Sequence, residues 1–211
     1  MALADPSPIE AVTAAEAFER TRTRGLTYAA FRAAWDEKLD ASPSGLSPDE
    51  RKYRHYAKYN RERSAAVHAA YTPSERVRAA LAASPPLTAL VITEDWCGDS
   101  AFALPVIAEA FATDPRHTLR ILPRDEHLDV MERYLTNGGR SIPKMVLFDA
   151  DGTEHATWGP RTASGQAHRA TLVAEGLDYA AIAARMVTWY EAGGWQDVDG
   201  ELVALVDDIG R

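Results

Sequence analysis

The sequence is poor in cysteine, in long apolar runs and in positive charge. Cys97 is the only cysteine among 211 residues, so the chain cannot close an internal disulfide. No run reaches the roughly 18 apolar residues that a membrane-spanning helix needs, and no Asn-x-Ser/Thr glycosylation acceptor is present. The net charge of −8 argues against general binding to nucleic acid or to an anionic membrane. We therefore expect no nucleic acid and no membrane among the partners.

The N-terminal stretch MALADPSPIEAVTAAEAFER has early acidic residues and lacks the apolar centre of a secretory signal. With one cysteine and no sign of export, the sequence predicts a reducing, cytoplasmic compartment. Hydrophobic residues make up 46% of the chain and charged residues 26%, as is typical of a globular protein with one substantial core.

The chain divides into a helical N-terminal region and an alternating remainder. Helical periodicity extends over residues 8–83, and Ser47 followed by Glu50 predicts a helix that begins with a capping box. The Ser84-Pro85-Pro86 break is the predicted boundary. We expect an N-terminal helical region, residues 1–86, packed on a domain of residues 87–211.

The second region alternates between strands and helices. The apolar run LTALVIT, residues 87–93, predicts a strand that is buried on both faces. Asp151-Gly152 predicts a hairpin. Residues from about 164 onward are predicted to be helical again. These patterns predict an α/β sheet with an antiparallel edge; its other predicted strands are 117–122, 144–150 and 153–158, and its predicted helices are 98–113 and 127–135.

Cys97 falls just after the first predicted strand, at the first turn of the next helix. Open α/β sheets place their active sites at this edge, and a helix N-terminus favours a thiolate over a thiol. Ser100 is one turn further on and can donate a hydrogen bond to the sulfur. Three nearby acids oppose this effect by raising the pKa of the thiol: Glu94, Asp95 and Asp99. A buried structural cysteine is the alternative that these residues leave open.

Residues 96–100, Trp-Cys-Gly-Asp-Ser, resemble the Trp-Cys-Gly-Pro-Cys signature of thioredoxins, with Asp99 replacing the proline and Ser100 replacing the second cysteine. Pro105 stands where thioredoxins have a proline in the active-site helix. Ser141-Ile142-Pro143, ahead of an apolar strand, resembles the thioredoxin segment whose Ile-Pro bond is cis and faces the active cysteine. Pro143 follows Cys97 by 46 residues, a separation close to that in thioredoxins.

Three longer stretches resemble a bacterial subgroup of thioredoxin family proteins that has a WCGDS monothiol motif and an N-terminal helical extension. They are TEDWCGDSAFALP, RDEHLDVMERYLTNGGRSIPK and WGPR. The resemblance implies an α/β thioredoxin-like fold, a mixed sheet flanked by helices, with helical additions at both ends. Arg161, the last residue of WGPR, is a candidate for a supporting role beside the site.

The departures from the signature determine the expected chemistry. Ser100 cannot attack a disulfide, so an external thiol must resolve any mixed disulfide that Cys97 forms. Thioredoxins also bury an aspartate six residues before the first cysteine, where this chain has Val91. The resemblance therefore implies a site that works through one thiol or is inactive.

We accordingly predict a monothiol thiol–disulfide oxidoreductase or thioltransferase. Its substrate is a protein disulfide or a mixed disulfide with a small thiol, and glutathione or an equivalent low-molecular-weight thiol is the co-substrate. No bound cofactor and no metal are expected. The predicted catalytic residues are Cys97 and Ser100, and the predicted substrate-binding residues are Trp96, Gly98, Asp99, Arg140, Ile142, Pro143 and Lys144. Arg140 and Lys144 either hold a ligand carboxylate or are solvated surface cations.

Two alternatives remain. The Cys-Gly-x-Ser pattern also resembles the motif with which monothiol glutaredoxins hold an iron–sulfur cluster, although Asp99 replaces the usual aromatic residue there. The other alternative is a thioredoxin-fold binding module without catalysis, which a buried Cys97 with an ordinary thiol pKa would favour. For a catalytic site we expect Cys97 to be partly exposed, with a lowered pKa.

The segment RKYRHYAKYNRER, residues 51–63, has six cations and one acid, with tyrosines at every third position. Basic charge with interleaved aromatic residues is found in sites for nucleic acid or phosphate. More often such tyrosines pack on a neighbouring element while the cations stay in water. If the segment is functional, an acidic partner is the expected ligand.

Overall fold

The computed structural model describes residues 9–209. Residues 1–8, to which part of the N-terminal prediction applies, lie outside this range. Four helices precede the first strand, and their N-cap residues are Thr13, Thr27, Ser47 and Ser74, whose side chains accept backbone N–H groups. The predicted capping box of Ser47 and Glu50 is confirmed. These helices are α1 (Ala14–Arg24), α2 (Tyr28–Asp40), α3 (Pro48–Ala70) and α4 (Glu75–Ala83).

The remaining elements form one mixed sheet with helices around it. Its four strands are β1 (Thr88–Thr93), β2 (Thr118–Pro123), β3 (Lys144–Phe148) and β4 (Glu154–Trp158), in the order β2-β1-β3-β4. β1 pairs with β2 in parallel and with β3 in antiparallel fashion, and β4 extends β3 as the predicted hairpin. The helices are α5 (Gly98–Phe111), α6 (Leu128–Arg133), α7 (Ala163–Ala174), α8 (Tyr179–Glu191) and α9 (Asp197–Ile209).

β3 runs antiparallel to β1, so the sheet has two antiparallel pairings and not one at its edge. The chain reaches β3 through residues 124–143, which contain the six-residue helix α6. This segment is longer than the roughly dozen residues that a parallel crossover needs, so its length alone does not set the direction of β3.

The central strands β1 and β3 are buried on both faces, as the apolar run LTALVIT predicts for β1. On one face Ala89 and Val91 contact the larger core, which includes residues from α3, α4, α5 and α9. On the other face Leu90 and Ile92 contact a smaller core, which also contains Cys97. Alternate residues of β1 therefore pack into two different layers, and this fixes the register of the central strand.

The N-terminal helices cover the sheet domain directly. α3 packs along α5, and α4 packs against α9. Between α1 and α2, the backbone of Leu26 exchanges two hydrogen bonds with Ile121 and protects the outer edge of β2. Within residues 9–209, no helix is both long and apolar enough to cross a membrane. The proposed division at residue 86 remains a prediction.

Candidate functional site

Cys97 lies where the chain leaves β1 and enters α5. It is the N-cap residue of that helix, and its backbone N–H donates to the carbonyl of Glu94 at 3.2 Å. The thiol Sγ donates to the carbonyl oxygen of Ile142 at 3.3 Å. The sulfur thus faces the segment before β3, as the thioredoxin resemblance implies.

The Ile142-Pro143 peptide bond opposite Cys97 is cis. The loop after β4 packs against the same segment, and a Cβ on Gly159 would lie 2.2 Å from the carbonyl oxygen of Pro143. Gly159 also has a φ of 105°, in the region that favours glycine. Only glycine allows this loop to approach the proline so closely.

Cys97 is 7% exposed, so the expectation of partial exposure is wrong. Its pKa is raised to about 11, mainly by burial and then by the negative charge of Asp99. Hydrogen bonds with Ser100 and the charge of Arg161 lower this pKa but do not reverse the shift. The expectation of a lowered pKa is therefore also wrong, because desolvation of the thiolate outweighs the favourable helix terminus.

Ser100 is buried beneath the sulfur and has a second partner. Its hydroxyl accepts a hydrogen bond of 2.5 Å from the hydroxyl of Thr93, the last residue of β1. This bond leaves the Ser100 proton free to interact with Cys97, in keeping with the lowering effect of Ser100 on the pKa of the thiol. The role of Ser100 in catalysis remains a prediction.

Asp99 forms a buried ion pair with Arg161. The guanidinium Nε donates to Asp99 at 2.9 Å, a second guanidinium nitrogen donates to the other oxygen, and the hydroxyl of Tyr190 donates at 2.9 Å. Burial raises the pKa of the Asp99 carboxyl, and the charge of Arg161 offsets part of that shift. The pair therefore fastens the first turn of α5 to the loop after β4 and to α8.

The N-terminal helices hold the turn that precedes Cys97. Lys38 of α2 forms an ion pair of 2.6 Å with Asp95, whose backbone carbonyl accepts a hydrogen bond from Asn60 of α3. The ring of Tyr53, also on α3, stacks on Trp96 at 5.0 Å between centroids. Trp96 is thus fixed by the helical extension beside the thiol.

Trp96 also contacts Arg124, whose guanidinium lies 4.8 Å from the ring centroid. This cation–π contact orients the indole further. The tyrosine spacing of residues 51–63 predicts packing on a neighbouring element, as Tyr53 does here, but no sequence pattern identified Trp96 as its partner or pointed to Arg124.

The two predicted cations of the groove are already engaged or buried. Arg140 forms an ion pair with Glu132. Lys144 is 9% exposed, and burial lowers the pKa of its ammonium group, partly offset by the charge of Glu154. Lys144 is therefore not a solvated surface cation. Contact of either residue with a substrate remains a prediction.

Gly98 begins α5, and a Cβ there would meet no atom within 4 Å. The structure thus brings together Cys97, Gly98, Ser100 and the Ile142-Pro143 segment at one point, with Trp96 and Asp99 anchored on either side. Among the described residues, no group of three or more histidine, cysteine, aspartate or glutamate side chains is arranged to hold a metal ion.

Two solved structures have a similar fold. One is a protein of unknown function from Pseudomonas aeruginosa, with a TM-score of 0.56 and 17% identity, over 93% of this chain and 98% of the other. The second is an HIV epitope scaffold, with a TM-score of 0.57 and 18% identity over the same shares. These likenesses support the α/β fold with additional helices.

A search of curated proteins found no match. The family model described as thioredoxin matches residues 46–173, which is more than half of the chain and includes both Cys97 and Pro143. The chain therefore belongs to the thioredoxin family.

Proposed function

We propose that the protein is a monothiol thiol–disulfide oxidoreductase that uses Cys97 and an external resolving thiol. The observation that supports this most is the position of the Cys97 sulfur, at the N-terminus of α5 and 3.3 Å from the carbonyl oxygen of Ile142, beside Pro143. An extended peptide can pair with the backbone groups of such a segment.

The reaction has two exchange steps. The Cys97 thiolate attacks one sulfur of a substrate disulfide, a new S–S bond to Cys97 forms, and the other substrate sulfur leaves as a thiolate. A glutathione thiolate then attacks the substrate sulfur of this mixed disulfide and releases Cys97 as a thiolate. The net reaction releases one substrate sulfur as a thiolate and leaves the other in a mixed disulfide with glutathione, which a second glutathione reduces with formation of glutathione disulfide. Because Ser100 has no sulfur, the second step requires this external thiol.

The raised pKa limits the rate of the first step. With a pKa of about 11, only about one Cys97 in ten thousand is a thiolate at pH 7. Loss of the proton also ends the hydrogen bond to Ile142, because a thiolate cannot donate. The Ile142 carbonyl is then free to accept an N–H from a bound peptide, so thiolate formation and peptide pairing favour each other.

A binding module without catalysis is the second candidate. The burial of Cys97 and its raised pKa favour this function, because an inert thiol hydrogen-bonded to Ile142 would serve only to shape the groove. The iron–sulfur alternative has less support, since a cluster ligand must be a thiolate and both burial and Asp99 disfavour that form.

The test measures the rate at which glutathione reduces a mixed disulfide of glutathione and mercaptoethanol. The parent and Cys97→Ser are compared from about pH 7 to about pH 10. The proposal predicts a Cys97-dependent rate that rises steeply with pH. Ser100→Ala is the matched variant: it should slow the reaction most near neutral pH, where the hydrogen bond to the thiolate matters. Equal rates for the parent and Cys97→Ser at every pH would contradict catalysis and favour the binding module.

A further inference from the structure

The surface of α3 that faces away from the protein core combines exposed aromatic rings with positive charge. The opposite side of the helix is buried against α5 through Ala57, Asn60, Ser64 and Val67. We name the outward surface the α3 face, and it consists of Arg51, Lys52, His55, Tyr56, Lys58 and Tyr59.

Among the described residues, the aromatic and cation–π contacts of these two tyrosines all come from α3 itself. Tyr56 is 42% exposed and Tyr59 is 46% exposed, and each contacts the ring of His55 on the same helix. This differs from the usual arrangement, in which such rings cover a nearby helix or strand. Large exposed aromatic side chains are typical of binding surfaces.

The positive charge of the face is only partly used inside the protein, where Arg51 donates to the backbone carbonyl of Leu46. Two further cations of α3, outside the face, are also engaged: Arg61 pairs with Asp36, and Arg54 donates to backbone carbonyls at the end of α2. Within the described part of the chain, Lys52 and Lys58 have no hydrogen-bond or ion-pair partner.

A cleft of about 640 Å³ lies beside these cations, between the end of α2 and α3. Four cations line it, Arg51, Arg54, Lys58 and Arg61, whereas Asp40 and Glu62 are its acidic side chains. The cleft is therefore a positive surface on a chain whose net charge is −8.

The α3 face continues into the candidate active site. Tyr53, on the same helix, stacks on Trp96, and Trp96 directly precedes Cys97. From Tyr53 to Tyr59 the helix rises about 9 Å, which matches about three residues of an extended peptide. A substrate peptide that extends past Trp96 can therefore reach the α3 face within about three residues.

We propose that the α3 face binds an acidic, extended polypeptide segment of the protein on which Cys97 acts. This inference rests on the proposed function for the identity of the partner. Its carboxylates pair with Lys52 and Lys58, and its backbone and apolar atoms lie against Tyr56 and Tyr59. A nucleic acid fits less well, because nonspecific affinity for it comes from neutralising many phosphates, and this face has two unpaired lysines on an acidic protein.

The experiment is fluorescence anisotropy of the full chain with a short labelled peptide of alternating glutamate and serine. The control ligands are the same peptide with glutamine for glutamate and a single-stranded oligonucleotide. Lys52→Gln/Lys58→Gln should weaken binding of the acidic peptide about three- to tenfold, in line with two exposed charge pairs, and Tyr56→Ser/Tyr59→Ser should also weaken it. The matched control, Arg76→Gln/Arg185→Gln, removes the same charge from exposed positions on α4 and α8 and should change binding by less than about twofold.

Three results would overturn the proposal: no binding of the acidic peptide, equal binding of the glutamine peptide, or tighter binding of the oligonucleotide. An unchanged affinity in Lys52→Gln/Lys58→Gln would also overturn it. Because the peptide has no cysteine, Cys97→Ser should bind it as the parent does. The peptide assay therefore tests binding alone. Thiol exchange is tested separately by turnover of the small mixed disulfide, which has no acidic segment.

Discussion

Arg161→Met removes the guanidinium that neutralises Asp99. The Asp99 side chain is 13% exposed and that of Arg161 is 19% exposed, so the remaining carboxylate would stay out of water with Tyr190 as its hydrogen-bond donor. Removing one partner of a buried ion pair costs about 3–5 kcal/mol. We expect the free energy of unfolding, measured by urea denaturation at neutral pH, to fall by about that amount.

Two variants make this measurement specific. Arg22→Met breaks the ion pair with Glu19, whose side chains are 63% and 61% exposed, and should cost less than about 1 kcal/mol. Asp99→Leu/Arg161→Met removes both charges and should recover more than half of the loss, because no buried charge remains.

The loss should also depend on pH. Without Arg161, burial holds the pKa of Asp99 above its unfolded value of about 3.9, so the folded state binds the proton more tightly. Such a group stabilises the fold below the unfolded pKa and loses that contribution as pH rises through the folded pKa. The deficit of Arg161→Met should therefore grow from about pH 4 to about pH 8. A loss no larger than that of Arg22→Met would refute the role of this pair.

Iodoacetamide should alkylate Cys97 at pH 7 about 300-fold more slowly than a free cysteine, with a pH profile that inflects nearer 11 than 8.5; an inflection below about 8.5 would contradict the burial argument. Oxidised Ser100→Cys should lose the mass of two hydrogen atoms, with only a modest gain in disulfide reductase activity because Val91 supplies no proton acceptor; an unchanged mass would refute the alignment of Ser100. Burial raises the pKa of the Glu94 carboxyl to about 7, so its contribution to stability is lost as pH rises through 7. Glu94→Gln should therefore stabilise the protein by about 1–3 kcal/mol at pH 8 and little near pH 4. Equal urea midpoints for parent and variant at pH 8 would count against this. Gly159→Ala should lower the free energy of unfolding by more than about 2 kcal/mol, since its Cβ would clash with the carbonyl oxygen of Pro143; a loss below 1 kcal/mol in urea would show that the loop can relax.

The α/β fold could be predicted from local patterns. The apolar run that forms β1 is short, follows Pro85-Pro86 and is followed closely by a helix start at Gly98. Its type and its place before Cys97 could therefore both be predicted from local sequence. The direction of β3 could not be read in the same way. It is set by pairing with β1, which is distant in the sequence, and no local pattern records that pairing.

The candidate site was only partly predictable. The thioredoxin resemblance predicted that Cys97 faces the Ile142-Pro143 segment. It did not predict that the thiol is buried. Asp99 bonds to Tyr190, 91 residues away, and no periodicity links such positions. The WGPR motif did point to Arg161, but not to its partner. Contacts between distant helices determine the electrostatics here, and one sequence does not encode them in a readable pattern.

Intact-protein mass spectrometry after incubation with glutathione disulfide at about pH 9 tests the central claim most directly. Thiol exchange at Cys97 predicts one glutathione adduct on the folded parent, none on Cys97→Ser, and loss of the adduct when reduced glutathione is added. The adduct should form without denaturant. If it appears only after unfolding in urea, Cys97 is an inert structural thiol and the proposed reaction is contradicted.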